Sequence, residues 1–373
     1  MKLGFNLFPK ILGYKLFRQF GTPKMMPMSV TISVTNMCNS QCKTCYIWKT
    51  YQDNLDLKEN ELKVFEFDRI FESLGENITN VVISGGEPYL RSDLVEICKV
   101  IHERSHPEIV VIPTNGLLPS MIEEKTKNIL EIYTNASIIV NLSLDGIENK
   151  HDEIRGVAGN FEKSIETYSR LRKLREEYSN LKLGIHSVVS KFNIDELPLL
   201  YDYVKKLNPE SYICEYAEHR YEMFNLDKDI APDLDKYSTF VKELCTRIQK
   251  DYIGKRLSTE RIIQSLRLIY YDLAVREIRE KRQIISCYAG FASCQISPYG
   301  DVWPCAVLGN SMSMGDLREV EYDFKKIWYS KRGDNVRRYI KAGKCTCPLQ
   351  NTHTTNILFD FRCVVKVLLN VLK

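Results

Sequence analysis

An α/β fold is predicted for this 373-residue chain, a partial (β/α)6 TIM-like barrel followed by a small cysteine-rich C-terminal domain. Two features of the sequence predict it. Short apolar runs rich in β-branched residues alternate with amphipathic helical stretches from about residue 29 to 217, as parallel β/α units do. The residues with reactive or metal-binding chemistry recur just after those runs, where a parallel sheet places its active site.

The runs number six, which suits an open barrel better than a closed eightfold one. "SVTISVT" (29–35) leads straight into three cysteines, and "NVVISGG" (80–86) ends in glycines. "EIVVIPTNG" (108–116), "ASIIVNLSLDG" (136–146), "LKLGIHSVV" (181–189) and "SYICEYA" (211–217) complete the set. Helices are expected at 60–74, 92–104, 121–133, 161–177 and 195–206. In the fourth, Phe161, Ile165, Tyr168, Leu171 and Leu174 recur at spacings of three and four, one helical face. Residues 232–284 read as charged and helical. "CYAGFASCQISPYGDVWPC" (287–305) then reads as a β-hairpin turning at Pro298–Asp301. The expected units are an amphipathic N-terminal segment (1–28), a barrel with a helical extension (29–284), a cysteine-bearing domain (285–355) and an apolar-basic C-terminal helix (356–373).

Composition narrows the function classes. Hydrophobic content of 44% and charged content of 27% are ordinary for a globular protein. A net charge of +4 is too small to argue for a nucleic-acid partner. The N-terminal stretch mixes basic and apolar residues without a cleavage site, and no apolar run reaches about 18 residues, so neither a secretory signal nor a membrane span is expected. A cytoplasmic, reducing location follows, and there the clustered cysteines among the twelve point to metal rather than to disulfides.

"TNMCNSQCKTCYIW" (35–48) holds Cys38, Cys42 and Cys45 on one loop. Zinc prefers four ligands in a closed tetrahedron, whereas a [4Fe–4S] cubane can be held by three thiolates with one iron left open. The CxxxCxxC spacing resembles the radical S-adenosylmethionine (SAM) superfamily, over roughly residues 29–350. The resemblance implies that the open iron binds SAM, that reductive cleavage of SAM yields a 5′-deoxyadenosyl radical, and that this radical abstracts a substrate hydrogen. The residue before the last cysteine is usually bulky in the family but is Thr44 here, which leaves Tyr46 and Trp48 to shield the cluster.

The same resemblance assigns the SAM-binding residues. "SGGEP" (84–88) places Gly85, Gly86 and Glu87 at the SAM amino group; taken alone the motif could be only a turn. Ser143 and Asp145 of "SLDG" suit ribose hydroxyls or the methionine carboxylate. Arg155 of "HDEIRG" offers a fork for that carboxylate, or else a surface ion pair. Thr114 and Asn115 either line this cavity or cap a turn.

Cys287, Cys305, Cys345 and Cys347 resemble the auxiliary-cluster region of the SPASM and shorter twitch subgroups, which implies one auxiliary [4Fe–4S] cluster for electron transfer. Cys294 is the substitute ligand because the closing pair is Cys-x-Cys, and an S4 zinc site is the alternative for the same residues. Cys98, Cys214 and Cys245 read as core. No catalytic side chain is assigned; Glu215, Tyr216 and His219, after the sixth strand, are candidates.

The expected function is oxidation or rearrangement of a small-molecule, lipid-linked or peptide substrate, with a flavodoxin- or ferredoxin-type electron donor. The alternatives are a ribosomal-peptide maturase of the same superfamily and a zinc-binding, non-enzymatic interaction protein. About 28 residues precede the first strand, too few for a leader-binding domain. The apolar, basic ends (3–20 and 356–373) suit either a peripheral membrane contact or packing on the barrel.

Overall fold

The computed structural model describes residues 3–52, 56–253 and 259–372. Residues 1–2, 53–55, 254–258 and 373, which fall within the N-terminal, barrel and C-terminal segments expected above, lie outside the described residues.

Nine strands form one sheet: β1 (Ser29–Ser33), β2 (Asn80–Ser84), β3 (Ile109–Thr114), β4 (Ser137–Ser143), β5 (Leu181–Val189), β6 (Ser211–Tyr216), β7 (Ser293–Ile296), β8 (Asp301–Trp303) and β9 (Gly315–Asp316). Their order is β6-β5-β4-β3-β2-β1-β7-β8-β9. The first six strands pair in parallel, and α-helices cross between most of them. The helices are α1 (Leu3–Phe20), α2 (Asp56–Glu59), α3 (Val64–Leu74), α4 (Leu94–Ser105), α5 (Pro119–Ile132), α6 (Asn149–Arg155), α7 (Asn160–Glu177), α8 (Leu197–Leu207), α9 (Leu234–Tyr252), α10 (Thr259–Glu280), α11 (Phe324–Trp328), α12 (Lys331–Lys341), α13 (Gln350–Phe359) and α14 (Phe361–Leu372). Because helices cover one face of the strands, alternate residues are buried. On β4, Ile138, Val140 and Leu142 enter the core, while Ile139, Asn141 and Ser143 stay half-exposed on the other face.

β7 joins this sheet rather than a sheet of its own. It pairs in parallel with β1 from Ser29↔Ser293 to Ile32↔Ile296. The hairpin expected at 287–305 is present as antiparallel β7 and β8.

Three elements differ from the sequence expectation for physical reasons. β1 stops at Ser33 because the chain beyond it turns to meet the Gly-Gly loop: Gly86 N–H donates to Thr35 O at 2.7 Å and Glu87 N–H to Met37 O at 2.8 Å. α3 starts at Val64, not residue 60, because Leu62 N–H is taken by Pro298 O at 2.7 Å. The C-terminal stretch is two helices, not one. The break falls at Asp360, whose Oδ1 accepts from Cys363 N–H at 3.0 Å and so caps α14.

Candidate functional site

The loop after β1 carries Cys38, Cys42 and Cys45, and its backbone is held from two sides. On one side, Gly85 and Gly86 approach so closely that a Cβ would lie 2.2 Å from Thr35 O and 2.3 Å from Met37 O respectively. Only glycine permits that approach, and Gly85 also has φ +138°. On the other side the end of α6 clamps the loop: Gln41 N–H donates to Arg155 O and Lys43 N–H to Ile154 O, both at 2.9 Å. The three thiols lie within electrostatic reach of one another. Burial pushes the Cys38 thiol up to about 12. A thiolate there therefore requires a cation, as iron would supply.

Glu87 is buried and already engaged. One oxygen accepts from Thr114 Oγ1 at 3.0 Å and Tyr89 N–H at 3.3 Å, the other from Asn115 N–H at 2.7 Å. Burial pushes its carboxyl up to about 7, against the pull of those hydrogen bonds. Thr114 and Asn115 thus hold Glu87, and the Asn115 amide also reaches Asn39 Oδ1 at 2.7 Å and Cys38 Sγ at 3.9 Å.

Asp145 and Arg155 form a buried pair at 3.1 Å, and Asp145 also accepts from Val188 N–H at 2.8 Å. Arg155 Nε is buried without a hydrogen-bond partner. Its guanidinium lies within electrostatic reach of all three loop thiols. Ser143, at the end of β4, is half-exposed beside His186 of β5. An unfilled cationic donor among three thiols, with a glycine cradle alongside, fits an anionic cluster and a ligand bearing a carboxylate.

The second thiol group is equally coherent. Cys287, Cys305, Cys345 and Cys347 each lie within electrostatic reach of at least two of the others. Cys294 is apart from them. It sits on β7 in the main core, with Arg337 as its charged neighbour. Cys98 and Cys214 are core, and Cys245 is half-buried against it. Among the described residues, no three His, Cys, Asp or Glu side chains close on a point as a single-ion site requires. A cubane spreads its thiolates over separate irons.

The sequence reading missed the connection between the two groups. The segment after β6 touches both: Tyr46 N–H donates to Met223 O at 2.8 Å, and Asn225 Nδ2 donates to Thr44 O at 2.9 Å. Glu215, at the end of β6, accepts from Gln350 N–H at 2.9 Å, just past Cys347, and so caps α13. Burial alone would raise the Glu215 carboxyl, but Arg220 (2.8 Å) and His186 (3.2 Å) outweigh it and hold the group well below the usual range. Glu222, hydrogen-bonded by Gln295, lies within electrostatic reach of Cys45 on one side and Cys305 on the other. Glu218 is half-buried, with its Oε2 shielded from solvent and unpartnered, within electrostatic reach of Cys347. Of the earlier candidates, His219 bonds Lys228 O at 2.7 Å and Tyr216 packs edge-on against Tyr237, which are structural roles. The available signal was the acidic and basic run "EYAEHRYE" at a strand C-terminus.

A partial parallel barrel with a three-thiol loop at its mouth and a four-thiol group joined to the same sheet has the ligand sets of an iron–sulfur protein. Residues 32–204 match the family model of the radical SAM superfamily, and residues 287–348 match that of SPASM, an iron–sulfur cluster-binding domain. The chain belongs to the radical SAM superfamily, in its SPASM subgroup. Membership implies a SAM-binding [4Fe–4S] cluster, SAM itself and auxiliary iron–sulfur ligation.

The chain is 23% identical over 303 residues to the antilisterial bacteriocin subtilosin biosynthesis protein AlbA of Bacillus subtilis, covering 80% of this chain and 59% of AlbA. Identity to the PqqA peptide cyclase of Bradyrhizobium diazoefficiens is 25% over 343 residues, 90% of this chain and 80% of that one. Identity to the AdoMet-dependent heme synthase of Methanosarcina barkeri is also 25%, over 307 residues, 81% of this chain and 82% of that one. Among solved structures, native anSMEcpe with bound AdoMet superposes with a TM-score of 0.58 at 17% identity, covering 93% of this chain and 97% of that one, a likeness of fold. The chain spans less than two thirds of the length of AlbA.

Proposed function

We propose that this chain cleaves SAM reductively and directs the resulting radical to a hydrogen atom of a peptide substrate, as an oxidation or a rearrangement begun at a C–H bond. The observation that carries the peptide reading is the alignment with the PqqA peptide cyclase across 90% of the chain, joined by that with AlbA. The heme synthase, matched over 81% of the chain, favours a tetrapyrrole as the second reading.

In this proposal Cys38, Cys42 and Cys45 hold the SAM-binding cluster, which when bound supplies the electron that breaks the sulfonium bond. The backbone carbonyls beside Gly85 and Gly86 accept from the SAM amino group, while Glu87 fixes the end of β3 beside it. Arg155, held in place by Asp145, turns its unfilled N–H toward the SAM carboxylate, and Ser143 takes a ribose hydroxyl. Cys287, Cys305, Cys345 and Cys347 hold the auxiliary cluster. The low-potential electron comes from a flavodoxin- or ferredoxin-type donor in the cytoplasm, and the terminal helices make a peripheral membrane contact.

Anoxic reconstitution tests the reading. About seven to eight iron atoms per chain, with matching sulfide, are expected, whereas zinc without sulfide would favour a non-enzymatic binding protein. Incubating the reduced protein with SAM and deuterated candidate peptides should transfer label to 5′-deoxyadenosine. Label from a deuterated tetrapyrrole instead would favour the second reading.

A further inference from the structure

The two terminal helices turn apolar residues outward, and charge tells what covers them. α14 buries Cys363 and Val367 against the body of the protein, and Arg261 reaches the Asn370 carbonyl at 3.4 Å. Its opposite face carries Phe361, Leu368, Leu369 and Leu372, which recur at helical spacing and are 75%, 53%, 55% and 80% exposed. α1 repeats the arrangement. Tyr14 and Phe17 pack on Tyr288, Phe291 and Phe359, while Leu12, Leu16 and Phe20, four residues apart, form an exposed row. α1 meets the end of α13, where Tyr14 stacks on Phe359 at 5.6 Å, two residues before the exposed Phe361 that opens α14.

An amphipathic helix normally hides its apolar face and shows its polar one. Here an apolar face is the exposed one, and the charges within the two helices are all basic, with the half-buried Asp360 capping α14 just before Phe361. No Asp or Glu occurs in residues 1–52 or 361–373. Lys10 and Lys15 on α1, and Arg362 and Lys366 on α14, form no ion pair among the described residues. Next to them, Lys341 of α12 donates to Gln19 O at 2.7 Å, so a third basic element adjoins α1. A second copy of this chain would bring cation against cation at such a face. Among the described residues no helix is long and apolar enough to cross a membrane. Exposed leucines and phenylalanines on helices whose own charges are all lysine and arginine match the boundary of an anionic bilayer, where the apolar rows enter the acyl region and the cations meet lipid phosphates.

We infer that α1 and α14 together form a docking surface for an anionic membrane, placing the auxiliary-cysteine region beside the bilayer. The inference rests on the peripheral-contact reading and not on the reaction. It is tested by flotation of the reconstituted full chain with vesicles of phosphatidylcholine, with and without phosphatidylglycerol; vesicle binding needs no turnover, so it can fail while SAM cleavage succeeds. Binding to the phosphatidylglycerol vesicles is expected, at least about tenfold tighter than to phosphatidylcholine alone and weakened by high salt. Leu368→Gln/Leu369→Gln/Leu372→Gln should lower that binding at least about tenfold with helicity and melting temperature retained. Arg362→Gln/Lys366→Gln should weaken the preference for anionic lipid, and adding Lys10→Gln/Lys15→Gln should weaken it further. No flotation with phosphatidylglycerol vesicles, or equal flotation of the triple variant, would overturn the inference. So would a concentration-dependent dimer, seen by sedimentation without lipid, that the triple variant dissolves.

Discussion

Arg155 and Asp145 show how far one buried pair governs the barrel mouth. Asp145 has its charge balanced by Arg155 and keeps one further hydrogen bond, to Val188 N–H. Arg155→Met would strand a buried carboxylate, at a cost of about 3 kcal/mol in denaturant unfolding. Arg155→Lys should recover part of the stability yet bind SAM more weakly, because an ammonium lacks the planar fork. A SAM affinity unchanged in both variants would remove Arg155 from the site. Nearby His151 accepts at Nδ1 from Asp145 N–H at 3.1 Å, and burial together with Arg155 depresses its pKa from 6.5 to about 4. The folded state therefore resists protonation that the unfolded chain accepts. Stability is full above about pH 6.5 and falls as the pH drops toward 4, by an amount on the order of 2–3 kcal/mol. His151→Gln should flatten that slope, as read by urea midpoints across this window.

At the scale of elements, the Gly-Gly loop and the cysteine loop act as one unit. In Gly86→Ala the new methyl would meet Met37 backbone atoms at 2.3 and 2.6 Å, and backbone cannot swing aside. The two loops must part, so iron content should fall by about half with the circular dichroism spectrum retained. Full iron loading would show that the loops tolerate separation. The strands and most helices were legible in the sequence because their side chains obey one period and share one buried face, as Ile138, Val140 and Leu142 do. The cysteine loops were legible because their ligands are close in sequence. The bridge from Glu215 to Asn225 was not. Its importance lies in contacts to Thr44, Tyr46 and Gln350, far away in the chain, and its charges look like those of any solvated loop. The split at Asp360 was hidden for a similar reason, since one aspartate serves as a helix cap only once the backbone turns there.

At the scale of the whole molecule, the two thiol groups are fixed to one another through a single sheet. Cys38 follows β1 and Cys287 precedes β7, and these strands pair in parallel, while Glu222 lies between Cys45 and Cys305. A rigid connection of this kind makes the groups separable in composition although linked in position. Replacing Cys38, Cys42 and Cys45 with alanine should leave about four iron atoms per chain and no cleavage of SAM. Replacing Cys287, Cys305, Cys345 and Cys347 should also leave about four, but the remaining cluster should still change its electron paramagnetic resonance signal when SAM is added. Cys294→Ala provides the control. That thiol is buried in the core beside Val30 and apart from the four, so the variant should keep all its iron and lose only about 1 kcal/mol of stability through a small cavity. If Cys294→Ala lost half the iron while Cys345→Ala kept it, the auxiliary ligand set would have to be redrawn around β7, and the close grouping of the other four thiols would need another explanation.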